Sequence, residues 1–535
     1  MSDAAQSAPA GAIGGFYARK SSGLVRQLSL RDMVLLNVCW VSVPLGFLYI
    51  TQLGGLFPGV SVGLAFILGL LIATPHLYIF GSFASAMPRS GGDYLSISRS
   101  IHPFLGFVVN SVETVFLLFS VAFICNFAPI FALPALFQTI GIVTGDSSWA
   151  NVATSVSSQN GQVLISGGVI VVIGLLAIFR QTVMLRVFTV LMGLTLLGVV
   201  VTIIALLFAN SNDFATNFGK FESVSKVISD AHAAGEGSAA FSLAASFLAV
   251  TVLFGAIGYA QLTSYVAGEA RQPGRTLLRS MFIGVAIAAL GLAVIAFLAA
   301  NAFGTDFLNS SQFLANSGKW PVPATPFVNL FIGIALPNVW LASLLGVATV
   351  AGIWAVVVPA YLMGTRAMMA YSFDRVLPTR VSEVSDSTHT PIIATVITMA
   401  IMIAFLIGWV YSSTAFITYL AVSSFAGFAL FIITGISAVI FPYRRKAMFE
   451  ASPITKRKIA GIPLFSIIGA IYVVDMAVYL ILVLANGAVL GITNTTGLIF
   501  LIVVVAFAAI WVIAWAVARS RGLDLGVVQG VLPPE

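Results

Sequence analysis

The stretch FGAIGYAQLTSYVAGEARQP, Phe254–Pro273, interrupts an apolar run and ends in a charged loop. Upstream, FSLAASFLAVTVL reads as the first half of a membrane span. Gly255 and Gly258 then weaken the helix, while Tyr259, Gln261, Thr263, Ser264 and Tyr265 place polar groups near membrane depth. Each glycine costs about 1 kcal/mol of helix propensity, and an opened turn in hydrocarbon must find new partners for its amides and carbonyls. Irregular backbone is tolerated there only where it is buried in protein or lines a wet cavity. A broken helix at this point is therefore a candidate binding site. The competing reading is a continuous helix whose glycines admit a closely packed neighbour.

Composition places the whole chain in the bilayer. Of 535 residues, 59% are hydrophobic and only 8% charged, against about 25% charged in soluble proteins. Cys39 and Cys125 both lie in apolar runs and offer neither a disulfide framework nor metal-ligand spacing. His76, His102, His232 and His389 are dispersed and read as loop or interface residues. The net charge of +7 follows inner loops rather than a nucleic-acid surface. An intramembrane enzyme would need a paired nucleophile and base, or a metal cluster at depth; no such grouping, metal site or cofactor motif is present in the sequence.

At about 20 apolar residues per span, twelve spans are expected: near 31–54, 60–86, 104–136, 162–180, 186–209, 239–267, 278–303, 338–372, 391–411, 414–441, 462–485 and 496–518. Residues 1–27 and 519–535 read as cytoplasmic tails, 28–445 as a ten-span core and 446–518 as two peripheral spans. All but three of the 25 Lys and Arg then fall in tails, inner loops or their flanks; Lys220, Lys226 and Lys319 are the exceptions. That bias puts both termini in the cytoplasm of a multi-pass protein of the cell membrane. The outer segments 137–161 and 210–238 read as solvated loops. Gly304–Leu336, with Trp320, Pro321, Pro323, Pro326 and Phe327, reads as either a cap over the bundle or a connector.

The first span, DMVLLNVCWVSVPLGFLYITQLGG, carries a second fault at Asn37, Ser42, Pro44 and Gly46. Proline inside a helix costs about 3 kcal/mol. Interruptions in the first and sixth spans, five apart, point to an all-α inverted repeat of five plus five helices with a site between the breaks. Spans eleven and twelve would stand outside the repeat.

Three ordered motifs then become specific: SAMPRSGGDYLSISRSIHPFLGF (residues 85–107), the GEARQP exit ending at Pro273, and GTRAMMAYSFDRVLP (Gly364–Pro378) followed by Thr390-Pro391. In this order they resemble the amino acid-polyamine-organocation transporter superfamily, from the first span to the tenth. At the inner face, Gly91 and Gly92 allow a tight turn and Asp93 can cap the next helix. Arg89 and Arg99 can meet lipid phosphates or acids. Arg89, Asp93, Glu269 and Asp374 are inner-gate candidates, with topology-setting charge as the plainer role.

The resemblance implies a secondary transporter, not an enzyme, working by alternating access on a small amino acid or related amine. By similarity, Ser42, Val43, Pro44, Leu45 and Gly46 on the first span face Phe254, Gly255, Ala256, Ile257 and Gly258 on the sixth, with Tyr259 and Gln261 at or just below the site. Asn126, Trp354, Ser423 and Ser424 are weaker candidates, for which helix packing is the competing role. The family's open Gly-Ser-Gly type turn is here replaced by bulkier residues and a proline that lacks an amide. Neither break holds an Asp or Glu, so a neutral substrate fits better than a polyamine. Met192 stands where some family members carry a coupling lysine. Glu113 in the third span, with Asn110 one turn away, is the candidate proton carrier, and Thr349 the candidate for sodium. Asp475 reads as paired with a polar neighbour or set at a contact between chains. A sodium-coupled or exchange-type amine transporter, a transporter-like sensor and a channel are the alternatives.

Overall fold

The computed structural model describes residues 26–522 apart from 237–239, 386, 389 and 488–491; the side chains at 255, 256, 259, 275 and 413–424 also lie outside the description. Most of both expected tails, the surroundings of Gly255, and the side chains of Ala256, Tyr259, Ser423 and Ser424 therefore fall outside the described residues. Helices dominate. Among the described residues, eleven are long and apolar enough to cross a membrane, while the expected sixth contributes a shorter apolar helix.

The first span begins with a capping box. Ser29 Oγ accepts from the Asp32 amide at 3.3 Å and Asp32 Oδ2 accepts from the Ser29 amide at 2.8 Å, satisfying donors that a helix start leaves orphaned. Helix α1 (Leu30–Trp40) stops at Val41-Ser42, and α2 (Val43–Leu56) resumes with Pro44 in its first turn. Ser42 at the junction has φ 52°, a left-handed conformation uncommon outside glycine. There follow α3 (Val62–Ala86), the short helix α4 (Asp93–Ser100) and α5 (Pro103–Phe127), which passes through a π-helical turn at Ala128–Ala132 into α6 (Leu133–Thr144).

Beyond these, α7 (Ser148–Ser157), α8 (Gln159–Phe179), α9 (Gln181–Phe208), α10 (Ser211–Phe218) and α11 (Val224–Ala233) lead to α12 (Leu243–Ile257). The interruption in the sixth span is not an opened turn. Here α12 winds directly into a 3-10 run, Gly258–Glu269, with Val266 off helical geometry. Runs of that type longer than three or four residues are uncommon and mark hinges or strain.

The second half comprises α13 (Pro273–Phe303), α14 (Thr305–Asn316), α15 (Val328–Ala335), α16 (Val339–Ala355), α17 (Val357–Phe373), α18 (Ile392–Tyr411) and α19 (Ser413–Arg444). After α20 (Lys446–Ala451) and a two-residue hairpin pairing Lys458–Ile459 with Ile462–Pro463, α21 (Leu464–Ala485) and α22 (Asn494–Ser520) follow. Helix α13 packs along α3 and α1, α16 along α9, and α21 along α19.

Two segments read as solvated loops are instead partly helical. Phe214 and Phe218, one turn apart on α10, are buried among Phe303, Phe307 and Trp320. An i, i+4 aromatic pair in a polar stretch is an amphipathic signal, and Ser, Asn and Gly around it obscured the pattern. The Gly304–Leu336 segment is a cap: α15 is buried throughout, Phe327 lies edge-on to Phe47 of α2 with centroids 6.4 Å apart, and the Thr51 hydroxyl donates to the Pro326 carbonyl at 3.4 Å.

Candidate functional site

The break in the first span shapes the first part of the site. Val41 and Ser42 amides donate to the Asn37 and Cys39 carbonyls, and the Leu45 and Gly46 amides both donate to the Ser42 carbonyl. Pro44 has no amide. Of the five positions expected to hold a carboxylate, only Val43 retains an amide not used in these bonds. A small cavity of about 20 Å³ adjoins the break, lined by Ser42, Pro44, Leu45, Phe127, Phe131 and Thr349 among others. Its wall is mostly apolar. Ser42 Oγ is buried there without a hydrogen-bond partner. Gly352 keeps α16 against the turn, since a Cβ there would stand 2.5 Å from Pro44 Cγ.

The structure brings Ser42, Pro44, Leu45 and Thr349 together but separates other expected site residues. Thr349 Oγ1 donates to the Leu345 carbonyl at 2.8 Å and accepts from Asn329 Nδ2 at 2.9 Å, so its hydroxyl is already committed. Asn126 faces the fourth span, donating to Gln162 at 2.9 Å and accepting from Ser166 at 3.0 Å. Trp354 packs beside Ala128 and Ala132, its indole N–H buried and unpartnered. Among the described residues, none from the sixth span lines this cavity. Phe254 lies instead in an aromatic pack with His76, Phe428 and Tyr479. Ile257 and Gly258 are buried against neighbouring side chains.

Below the break, a buried polar network joins the sixth span to the third. Gln261 Nε2 donates to Glu113 Oε1 at 2.9 Å, and Gln261 Oε1 meets His76 Nε2 at 3.2 Å. The other His76 nitrogen is 2.6 Å from the Tyr472 hydroxyl. The Tyr265 hydroxyl stands 3.5 Å from both Glu113 Oε2 and Asp93 Oδ1 and accepts from Asn110 Nδ2 at 2.5 Å. Asn110 also donates to Asp93 and accepts from Tyr371.

Asp93 is thus a member of this network and not the helix cap expected of it. Gly92 occupies the N-cap position, with no side-chain hydrogen bond, because positive φ at Gly91 (120°) and Gly92 (61°) turns the chain directly onto Tyr265. A Cβ at Gly92 would stand 2.5 Å from that ring, and the Gly91 amide donates to the Tyr265 carbonyl at 3.3 Å. Burial pushes the Asp93 carboxyl above its ordinary range, against the opposing hydrogen bond from Asn110. His76 had read as a loop or interface residue. It lies wholly buried inside α3, and nothing in its apolar sequence context marked the Gln261 and Tyr472 partners.

Two buried ion pairs tie α4 and the end of the sixth span to α17. Arg99 grips Asp374 through both terminal guanidinium nitrogens, Nη1 and Nη2, at 2.5 and 2.9 Å, and the Tyr94 hydroxyl donates to the same carboxylate at 2.6 Å. Arg366 Nε donates to Glu269 Oε1 at 2.7 Å. Arg89 is half-buried, donating to the Pro88 carbonyl at 3.0 Å. The chain ahead of α1 is strapped to the exit of the sixth span: the Leu28 amide donates to the Glu269 carbonyl and the Arg271 amide to the Leu28 carbonyl, each at 3.0 Å. Asp475, expected to pair with a polar neighbour or to stand at a contact between chains, has Oδ2 buried without a partner in the described chain.

No curated protein matches the chain. The model of the amino acid permease family matches residues 36–508, taking in both spans with altered helical geometry, the buried network and the two buried ion pairs. The chain therefore belongs to the amino acid permease family, within the amino acid-polyamine-organocation superfamily of multi-pass membrane transporters of amino acids and amines.

Proposed function

We propose that the protein imports a neutral amino acid with an apolar side chain, driven by protons, through alternating access of a twelve-span bundle. Leu243–Glu269 supplies the sixth span, its apolar α-helix extended by the 3-10 run. Spans one to five and six to ten form an inverted repeat, both termini are cytoplasmic, and the membrane is the cell membrane. The substrate binds beside Ser42–Gly46, its side chain toward the small cavity under the Phe327 cap. From the sixth span Gln261 joins Glu113, which carries the proton.

The observation that supports the substrate class is the break itself. Among the described residues, its cavity is lined by proline, leucine and phenylalanine with no acid, so a second ammonium would enter without a counter-ion at a cost of several kcal/mol. One free amide at Val43, with the Ser42 hydroxyl, replaces the several donors that a helix start usually offers an anion. The protein accordingly draws much of its affinity from the apolar side chain.

The test is uptake of pooled labelled amino acids and amines into proteoliposomes under an inward proton gradient. Saturable accumulation of neutral apolar amino acids is expected. Preferential accumulation of arginine or putrescine overturns the substrate class, and flux that does not saturate favours a channel.

A further inference from the structure

Asp93 and Glu113 are both buried, at 2% and 6% exposure, and come from different elements, α4 and α5. Among the described residues neither forms an ion pair with Lys, Arg or His. Arg99, the cation on Asp93's own helix, is committed to Asp374. The groups that face the two acids are Asn110, Tyr265, Tyr371 and Thr434, with His76 and Tyr472 reached through Gln261. None of these brings a positive charge while the imidazole stays neutral. Two adjoining carboxylates in such surroundings cannot both ionise without like-charge repulsion added to the desolvation of each.

A further polar group enters the cluster. Ser111, only 2% exposed, sets its hydroxyl beside that of Tyr371. It provides a hydroxyl that can accept or donate as the protonation of the network changes.

We propose that Asp93 is the second member of the coupling site, sharing one proton with Glu113 across the Tyr265 hydroxyl. This proton holds the 3-10 segment of the sixth span against the Gly91-Gly92 turn. The inference rests on the proton-coupled reading above and adds to it a residue and a moving part. Tyr265 belongs to the 3-10 segment, whereas both acids belong to the inner loop and third span. When the segment withdraws, the Tyr265 bridge between the carboxyls is lost and water reaches them; the proton then leaves to the side that has opened. No bond other than O–H is made or broken.

The experiment compares wild type, Asp93→Asn, Glu113→Gln, the double variant and Tyr265→Phe in proteoliposomes, reading exchange of labelled for unlabelled substrate and accumulation under a proton gradient. Each single acid variant is expected to keep exchange within about threefold while losing about tenfold or more in accumulation. The double variant should lose no more than either single one, because both remove the same proton. Substrate-linked alkalinisation of a weakly buffered exterior should vanish in all three.

Full accumulation by Asp93→Asn, with Glu113→Gln uncoupled, overturns the shared proton and leaves Glu113 acting alone. Accumulation by wild type under sodium but not protons overturns this proposal and the proton reading together. If Asp93→Asn fails to reach the membrane, Tyr265→Phe decides: a loss of accumulation of about threefold or more, with exchange kept, supports the shared proton. Undiminished accumulation overturns it.

Discussion

Asp93 shows how far a residue's role depends on what surrounds it. Following a Gly-Gly turn, an aspartate reads as a cap, and the turn instead drives it into a buried network with Glu113. A carboxyl whose folded-state pKa is raised contributes stability that is fully present below its unfolded value of about 3.9 and is lost as pH rises through the folded value. Asp93→Asn is never ionised at this site. Its thermal stability in detergent should therefore improve relative to wild type as pH climbs from about 5 to about 8, and parallel melting curves would refute this. Gly92 offers a second test, because it combines φ 61° with a ring 2.5 Å from any added Cβ. Gly92→Ala is expected to cost about 1–3 kcal/mol, read as a lowered melting temperature, while alanine at the exposed Gly497, which has open space around it, should cost nothing.

At the scale of elements, α4 is fastened to the end of α17, and the sixth-span exit to the same helix. The Arg99–Asp374 pair has both side chains fully buried, so removing one partner leaves an uncompensated charge in a low dielectric. Asp374→Asn should destabilise the protein by about 3–5 kcal/mol, and a double replacement by apolar residues of similar volume should recover most of that loss. Failure of the double variant to recover would show that the pair's hydrogen bonds with Tyr94, and not its charges, hold the elements. The 3-10 run is the other informative element. Gly255 and Gly258 identified an interruption, but a glycine lowers helix propensity without choosing between an opened turn and a tighter winding. That choice followed from Tyr265 docking on Gly92 and from Gln261 reaching both Glu113 and His76.

Across the whole molecule, a ligand that binds the folded protein raises its stability by mass action, by about 2.7 kcal/mol at a hundred times its dissociation constant. Leucine-like substrates should therefore raise the melting temperature in detergent and arginine should not. An equal shift by both would remove the case for an apolar site. The sequence by itself determined that this chain is a membrane transporter: hydropathy, three ordered inner-face motifs and an interrupted first span are local properties, read along one segment at a time. It also singled out Glu113, because an acid inside an apolar span is conspicuous wherever it lies. Only the tertiary structure decided which polar groups meet. His76, Tyr371, Thr434 and Tyr472 come from four different helices, and each is unremarkable in its own segment. Asn126 reads as facing a site in its own segment, but its amide is taken up by Gln162 and Ser166 of α8. The physical reason is common to all of these cases. In a dry interior a polar side chain takes the role that its hydrogen-bond partners allow, and those partners are chosen by the packing of helices far apart in the chain.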